Sequence, residues 1–429
     1  MQRVNDFSNG VGTISAPNVK YVRLYKYAGS DYVDITSLIN YIEIFESIYN
    51  TFITVNINIT DTLSIQSTLQ LTGEEFVEID IRDAGGSIGY IKQVFSVYML
   101  ADRITTANAS VIYTLKCISP AAIVDMNLKI SKAFVGQPSD LVVNEFGKAL
   151  TVVDKTVVAE STKNVVQYIS NYWSPLQNIK YLCDRAVSRE TTAPSYVFFE
   201  RSKDFRFQSI DYMVRQASTN DFMYSLNTYS TDKRSNPANQ LPIMYNLHID
   251  SGFNYIDRLM TGAYGNRTLT VDPLTKTYSY EYYDYMEAFN KFSRLNKAPF
   301  GSETAPRRLN SVFRTAVIPS KSFTTMVDNM SIEWYKQRPT ELAAINASTI
   351  EFEAAGRFYI NAGDVISVAV PKLNAKSTIR NDEAELSKLL DKMLSGRYLV
   401  NNLRHVISRE RHTVFVQASK DSIFKEASK

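Results

Sequence analysis

The run Ile53-Thr54-Val55-Asn56-Ile57-Asn58-Ile59-Thr60-Asp61 alternates apolar and polar residues without a break. Successive side chains of a β-strand point to opposite faces, so Ile53, Val55, Ile57 and Ile59 share one buried face and Thr54, Asn56 and Asn58 the other. Asp61 ends the strand. The same period recurs after Gly73, where Val77, Ile79 and Ile81 alternate with Glu78 and Asp80. Gly85-Gly86 marks a turn. Two longer strands, over about residues 90–101 and 109–118, are joined by a polar turn around Thr105 to Asn108. So many antiparallel strands in a short span predict a small barrel or sandwich.

Working outward, the pattern changes after Pro120. Between Ser161 and Arg189 the spacing reads as helical: Ser174-Pro175 supplies an N-cap and a first-turn proline, and Leu176, Ile179, Leu182, Cys183 and Ala186 form one stripe. A hairpin follows, from Tyr196 to Phe199, through Ser202-Lys203-Asp204, to Phe205–Ile210. Residues 255–330 are the least regular stretch and include Thr277-Tyr278-Ser279-Tyr280-Glu281-Tyr282-Tyr283-Asp284-Tyr285. Strand signals return at Ile345–Phe352 and Asp364–Val370. A helix is expected from about Asp382 to Leu394, ending near Gly396. Tyr398–Ile407 and Thr413–Ala418 then form a hairpin through Arg409-Glu410-Arg411.

The two strand-rich regions share an order. Leu71-Thr72-Gly73 leads into Phe76–Ile81, then Tyr90-Ile91, a long strand, a turn, and Val111–Cys117. Asn361-Ala362-Gly363 leads into Val365–Val370, then Tyr398-Leu399, a long strand, a turn, and Thr413–Ala418. This order points to an internal duplication. The expected fold class is α+β, mainly β, with two tube-like antiparallel β-barrel domains. The first spans 20–118 and the second combines 211–254 with 331–429. An α+β middle domain covers 119–210, an irregular Tyr-rich insertion covers 255–330, and a flexible arm covers 1–19.

A chain of 429 residues exceeds one core, since domains average about 150 residues. With 45% apolar residues it is an ordinary globular composition, and wholesale disorder is excluded. The 47 basic and 44 acidic residues leave a net charge of +3, which does not point to a nucleic-acid binder. The two cysteines, Cys117 and Cys183, read as small buried hydrophobes. Residues Met1 to Asp6 show no hydrophobic signal core and no apolar run is long enough to span a membrane, so synthesis in a cytoplasm is expected.

Catalytic motifs are missing. There is no HExxH, no GxxxxGK[ST] phosphate loop and no GxSxG elbow. The three histidines are His248, His405 and His412. His405 and His412 flank a hairpin turn without a third ligand at suitable spacing, so they read as surface or cross-strand residues. Glu74-Glu75 would point to opposite faces of a strand and read as solvated edge residues. No catalytic, metal or cofactor-binding residue is assigned, and no cofactor is expected. The candidate functional surface is a protein interface formed by Tyr278, Tyr280 and Tyr282, which share one face if their run is a strand.

In this order the motifs resemble the baseplate hub protein of T4-type contractile-tailed phages, over about residues 20–420. The residues carrying the resemblance are Ile53 to Asp61, Leu71 to Ile79, Ser174 to Leu182, Gly356-Arg357-Phe358-Tyr359-Ile360-Asn361-Ala362-Gly363-Asp364-Val365-Ile366, and the final hairpin. The resemblance implies a non-enzymatic homotrimer with two barrels per chain, making a pseudo-six-fold ring that joins the central spike to the tail tube. It implies as partners the spike protein, tube or tube-initiator proteins and surrounding baseplate proteins. Viral DNA would be only in transit, and no membrane insertion is expected. The location would be the virion tail baseplate, assembled in the host cytoplasm. Related hub domains occur in contractile injection systems, and the absence of a fused spike repeat argues against a complete secretion spike. The alternatives are another tail or baseplate component, the hub of an injection system, and a cell-wall hydrolase or carbohydrate-binding tail protein.

Overall fold

Isoleucine and valine at every second position commit the first third of the chain to strands, and the computed structural model shows where they pair. It describes residues 17–27, 29, 31–83, 89–106, 110–150, 155–224, 243–249, 254–300, 312–317, 332–372 and 390–424. The expected arm lies outside these residues up to residue 16, and its last two residues, Asn18 and Val19, already belong to a strand. The expected turn glycines Gly85 and Gly86 also lie outside them.

The first lobe contains β1 (Asn18–Tyr25), β2 (Tyr32–Asp34), β3 (Ile39–Ser47), β4 (Thr54–Asp61), β5 (Phe76–Arg82), β6 (Tyr90–Thr105) and β7 (Val111–Ile118). Their lateral order is β2-β1-β5-β6-β7-β4-β3. The sheet curls around one core, in which Val55, Ile57 and Ile59 of β4 meet Val77, Ile79 and Ile81 of β5. The alternation read from the sequence thus sets the inner face. Burying an Ile or Val side chain contributes roughly 1.5–3 kcal/mol.

The middle lobe contains β8 (Ile130–Gly136), β9 (Thr156–Ala159), β10 (Val166–Trp173), β11 (Tyr196–Glu200) and β12 (Asp204–Ser209). The hairpin β11–β12 forms where expected. Only Pro175–Cys183 of the supposed helical stretch 161–189 is a helix. It starts with a capping box: the Gln177 N–H donates to Ser174 Oγ at 3.3 Å, and the Ser174 N–H donates to Gln177 Oε1 at 2.8 Å. Residues 166–173 are instead β10, paired with β8. Val166, Tyr168 and Ser170 point inward while Gln167, Ile169 and Asn171 point out. That period of two was hidden because Ile169, an apolar residue, sits on the outer face.

The second lobe begins with β13 (Asn220–Tyr224) and β14 (Ile243–Ile249). The chain then leaves it to build β15 (Gly265–Asp272), β16 (Thr277–Asp284), β17 (Ala298–Pro299) and β18 (Phe313–Val317). It returns for β19 (Ser348–Ala355), β20 (Val365–Ala369), β21 (Gly396–Ser408) and β22 (His412–Lys420). Strands β13-β20-β21-β22-β19-β14 close into a six-stranded barrel, β14 pairing back onto β13. The barrel is not wholly antiparallel, because β13 runs parallel to both neighbours. Parallel neighbours need crossover connections rather than tight turns. At residues 390–394, the described end of the expected helix 382–394, Leu390 bridges to Pro371 and residues 392–394 form a turn, and Gly396 opens β21 at φ +128°. The stretch expected to be irregular carries a three-stranded sheet, β16-β15-β18.

The duplication is visible in the pairing. Strands β1-β5-β6-β7-β4-β3 and β13-β20-β21-β22-β19-β14 occupy matching positions in the same chain order. Four of the five junctions within each series are antiparallel in both; only β1–β5 and β13–β20 differ. One bulge coincides, β6 shifting register between Val97 and Met99 and β21 between Val400 and Asn402, whereas β6 shifts a second time between Ala101 and Ile104 and β21 does not. The two lobes meet along β3 and β21, which pair antiparallel from Asn402↔Ser47 to Ser408↔Tyr41. One sheet therefore runs through both.

Candidate protein interface

The tyrosine run folds as half of a hairpin. Asp272 turns the chain by accepting hydrogen bonds at Oδ1 from the Leu274 and Thr275 N–H groups at 2.9 and 3.3 Å. β16 then pairs with β15 along its whole length, and β18 adds in parallel on the other side of β15. The sheet's inner face is buried under the helix Ile332–Ala344. There Asn266 Nδ2 donates to Lys336 O at 2.6 Å and to Thr340 Oγ1 at 2.9 Å. Tyr283 OH donates to Glu341 Oε1 at 2.6 Å, and burial pushes its hydroxyl pKa far up. Arg294 donates to both oxygens of Glu341, lies 3.6 Å from Asp421 and covers the Tyr285 ring.

The outer face carries the predicted residues. Tyr278, Tyr280 and Tyr282 all lie on it and are 70%, 44% and 46% exposed. Register places Val271, Leu269 and Arg267 beside them, and Val317, Thr315 and Phe313 beyond. Tyr278 and Tyr280 meet edge to face at 6.1 Å, and the Arg267 guanidinium sits 4.0 Å over the Tyr280 ring. Phe313 and Val317, 56% and 60% exposed, extend the surface. Sequence reasoning missed these two. Their alternation is readable, but which face they share with the tyrosines depends on a register set by the fold. An exposed aromatic and aliphatic surface of this kind is typical of protein contact sites. Tyr285 falls outside it, buried at the start of a short helix.

The histidines are paired but are not on the surface. His405 Nδ1 and His412 Nε2 lie 3.0 Å apart, both buried, with Phe358 stacked on the His412 ring at 4.5 Å. Burial lowers the His405 pKa to about 4, and burial together with the nearby His405 holds that of His412 well below the usual histidine range. Asp83 Oδ1 approaches His412 Nδ1 to 3.9 Å. Burial raises the Asp83 pKa to about 6, against the Phe358 N–H and the charge of Arg357. His248 is exposed on β14, opposite Glu351. Glu75, expected at a solvated edge, is buried. It accepts from the Thr72 and Gly73 N–H groups, each at 2.8 Å, and pairs with Lys26 at 3.0 Å. The carboxylate therefore closes the turn before β5. Both cysteines are buried and unbridged.

Among the described residues no group of three or more His, Cys, Asp or Glu side chains is placed to hold a metal ion. No helix among them is long and apolar enough to cross a membrane.

Two barrels in one sheet, an α+β middle lobe and a side sheet define a fold seen in phage tail proteins. A tail protein from Neisseria meningitidis superposes with TM-score 0.55 at 10% identity, over 94% of this chain and 97% of its own. The 43 kDa tail protein of prophage MuSo2 from Shewanella oneidensis superposes with TM-score 0.52 at 9% identity, over 94% of this chain and 99% of its own. A type VI secretion system component of E. coli, described as similar to T4 bacteriophage tail proteins, reaches only 0.42 at 9% identity, over 91% of this chain and 76% of its own. No protein-family model matches the sequence, and a search of curated proteins finds no match.

Proposed function

We propose that this chain is a non-enzymatic structural subunit of a phage tail baseplate, acting as its hub. Copies form a trimeric, pseudo-six-fold ring that joins the central spike to the tail tube. The observation that carries this reading is the end-to-end fold shared with two phage tail proteins, together with a duplicated barrel that lets three chains present six similar units. Closed rings repeat their contacts with their symmetry, so a doubled barrel suits docking on a six-fold tube. Its partners are then the spike, the tube or tube-initiator proteins and neighbouring baseplate proteins, with viral DNA only in transit. The face of Tyr278, Tyr280 and Tyr282 serves as a contact to one of the surrounding proteins. The protein is assembled in the host cytoplasm and resides in the virion tail.

Sedimentation of the purified protein at micromolar concentration tests the ring, with a trimer expected and a stable monomer or hexamer overturning it. Reconstruction of the intact tail tests the position. Zymography on peptidoglycan should show no clearing, and a cleared band would move the protein to the cell-wall hydrolases.

A further inference from the structure

Of the outward residues on β15, β16 and β18, only Arg267 carries a charge. Its side chain is half-buried among the tyrosines. The guanidinium sits 4.0 Å over the Tyr280 ring and 5.7 Å from the centre of the Tyr282 ring. Among the described residues Arg267 joins no salt bridge, and its buried Nε has no hydrogen-bond partner. The acids of the same hairpin are engaged elsewhere. Glu281 pairs with Lys336 at 3.1 Å on the inner face, Asp272 closes the turn, and Asp284 accepts from the Met286 N–H at 2.8 Å. Arg294, beneath the same sheet, shows the completed form of this arrangement. Its guanidinium also covers a tyrosine ring, that of Tyr285 at 4.6 Å, and both oxygens of Glu341 accept from it. Arg267 has the rings and lacks the carboxylate.

A partner that covers the tyrosines takes this cation out of water, and a buried charge without a counter-charge is strongly unfavourable. Such a partner has to bring an anion to the guanidinium, whose parallel N–H donors match a carboxylate. The rest of the face separates the sources of that anion. One cation is too few for a nucleic-acid backbone, whose binding draws on many phosphate contacts. Tyr278 and Tyr280 stand at 80° to one another, so they do not form a flat platform for successive bases. Leu269, Val271 and Val317 fill the space around the rings, a mixture of aliphatic groups, Tyr and Arg that suits protein side chains.

We propose that the side sheet docks a protein segment that presents an Asp or Glu carboxylate to Arg267 and lays apolar residues against the tyrosines around it. The inference rests on the reading above that this face contacts a surrounding tail protein, and it adds the charge which that partner carries. Tyr280 and Tyr282 hold the guanidinium in place. The tyrosines then supply contact area, while Arg267 decides between partners, because an apolar segment without the acid would leave the cation stranded.

Complementation with Arg267 variants, followed by immunoblotting of purified tails, tests this. Loss of a buried charge pair weakens an interface about thirtyfold or more. Arg267→Glu, which sets like charges together, should therefore lower incorporation at least about tenfold while the melting temperature holds. Arg267→Met keeps the stem without the charge and should fall as well, and Arg267→Lys should fall least. Plaque-forming suppressors of Arg267→Glu should replace an Asp or Glu of another tail protein. Incorporation of Arg267→Glu at the wild-type amount, or suppressors confined to this chain, would overturn the inference. If Arg267→Glu melts lower, Arg267→Met decides in the same way. The variant carrying Tyr278→Ser, Tyr280→Ser and Tyr282→Ser separates the two readings. Its exclusion from tails that accept Arg267→Glu would remove the carboxylate alone, whereas its normal entry, or a wild type absent from tails, would remove the contact reading too. Salt-sensitive binding of a single-stranded oligonucleotide, abolished by Arg267→Glu, would overturn the protein partner in favour of nucleic acid.

Discussion

Glu200 ties the middle lobe to the first barrel, and its replacement by glutamine gives a sharp test. The carboxylate is 2% exposed and sits at the end of β11. Its Oε2 accepts from the Ile53 N–H at 3.0 Å, while Oε1 accepts from Ser119 Oγ at 2.8 Å and pairs with Lys155 Nζ at 2.6 Å. Glutamine keeps the shape but turns one acceptor into a donor. Either the Ile53 N–H or the Ser119 and Lys155 groups then face an N–H of like polarity. An orphaned buried donor costs about 1–3 kcal/mol. Breaking a buried ion pair from one side costs ~3–5 kcal/mol. The two overlap, so the larger range stands for both, and at about 1.4 kcal/mol per decade it equals roughly a hundredfold to a few thousandfold more opening. Native-state hydrogen exchange at Ile53 and along β12 should show that loss of protection. Adding Lys155→Met should restore part of it, because the stranded cation is gone. A change below about tenfold in Glu200→Gln, or no recovery in the double variant, would refute the clamp.

Three further outcomes are expected. Arg294→Ala strands Glu341 and Asp421, both buried, and should lower thermal stability by about 3–5 kcal/mol in a melting series. The second concerns acid. The folded-state pKa values of His405 and His412 lie below the unfolded value near 6.5, so their contribution is complete above that pH and is lost as pH falls towards 4. Asp83, raised to about 6, works the other way over that window, so Asp83→Asn should steepen the loss and His405→Leu should flatten it in denaturation midpoints taken between pH 7 and 4. Third, Tyr278→Ser, Tyr280→Ser and Tyr282→Ser combined should change stability by no more than about 1–2 kcal/mol, since exposed sites contribute little. The same triple variant should abolish incorporation into tails, scored by complementation and immunoblotting of purified particles.

Much of this fold could be read wherever burial is one-sided. β4 and β5 alternate cleanly because one face is core and the other polar, and the Ser174–Gln177 capping box marks a helix start by local chemistry alone. β10 reads as helix from its sequence because Ile169 and Tyr172 lie on its outer side and blur the period. The sheet of β15, β16 and β18 stayed hidden for the opposite reason: its inner face is largely polar, with Asn266, Thr268 and Thr270 satisfied by hydrogen bonds that no hydropathy pattern reports. The tyrosine face was legible as a strand face. Its extension through Phe313 and Val317 was not, since a parallel partner can come from any distance along the chain. The buried histidine pair was legible as a hairpin pair but not as a core pair, because Phe358, which stacks on it, arrives from a distant loop.

The side sheet has a consequence for symmetry. It leaves the barrel after β14 and returns at β19, the same connection that the first barrel makes with the short link between β3 and β4. One chain thus holds two barrels but, among the described residues, one such side sheet. In any closed ring of such chains, the barrels recur at twice the angular frequency of the outgrowths. A partner that touches only barrels meets one periodicity, and a partner that touches the outgrowths meets half of it. In such a ring the ratio of the two periodicities is set by one connection, long between β14 and β19 and short between β3 and β4.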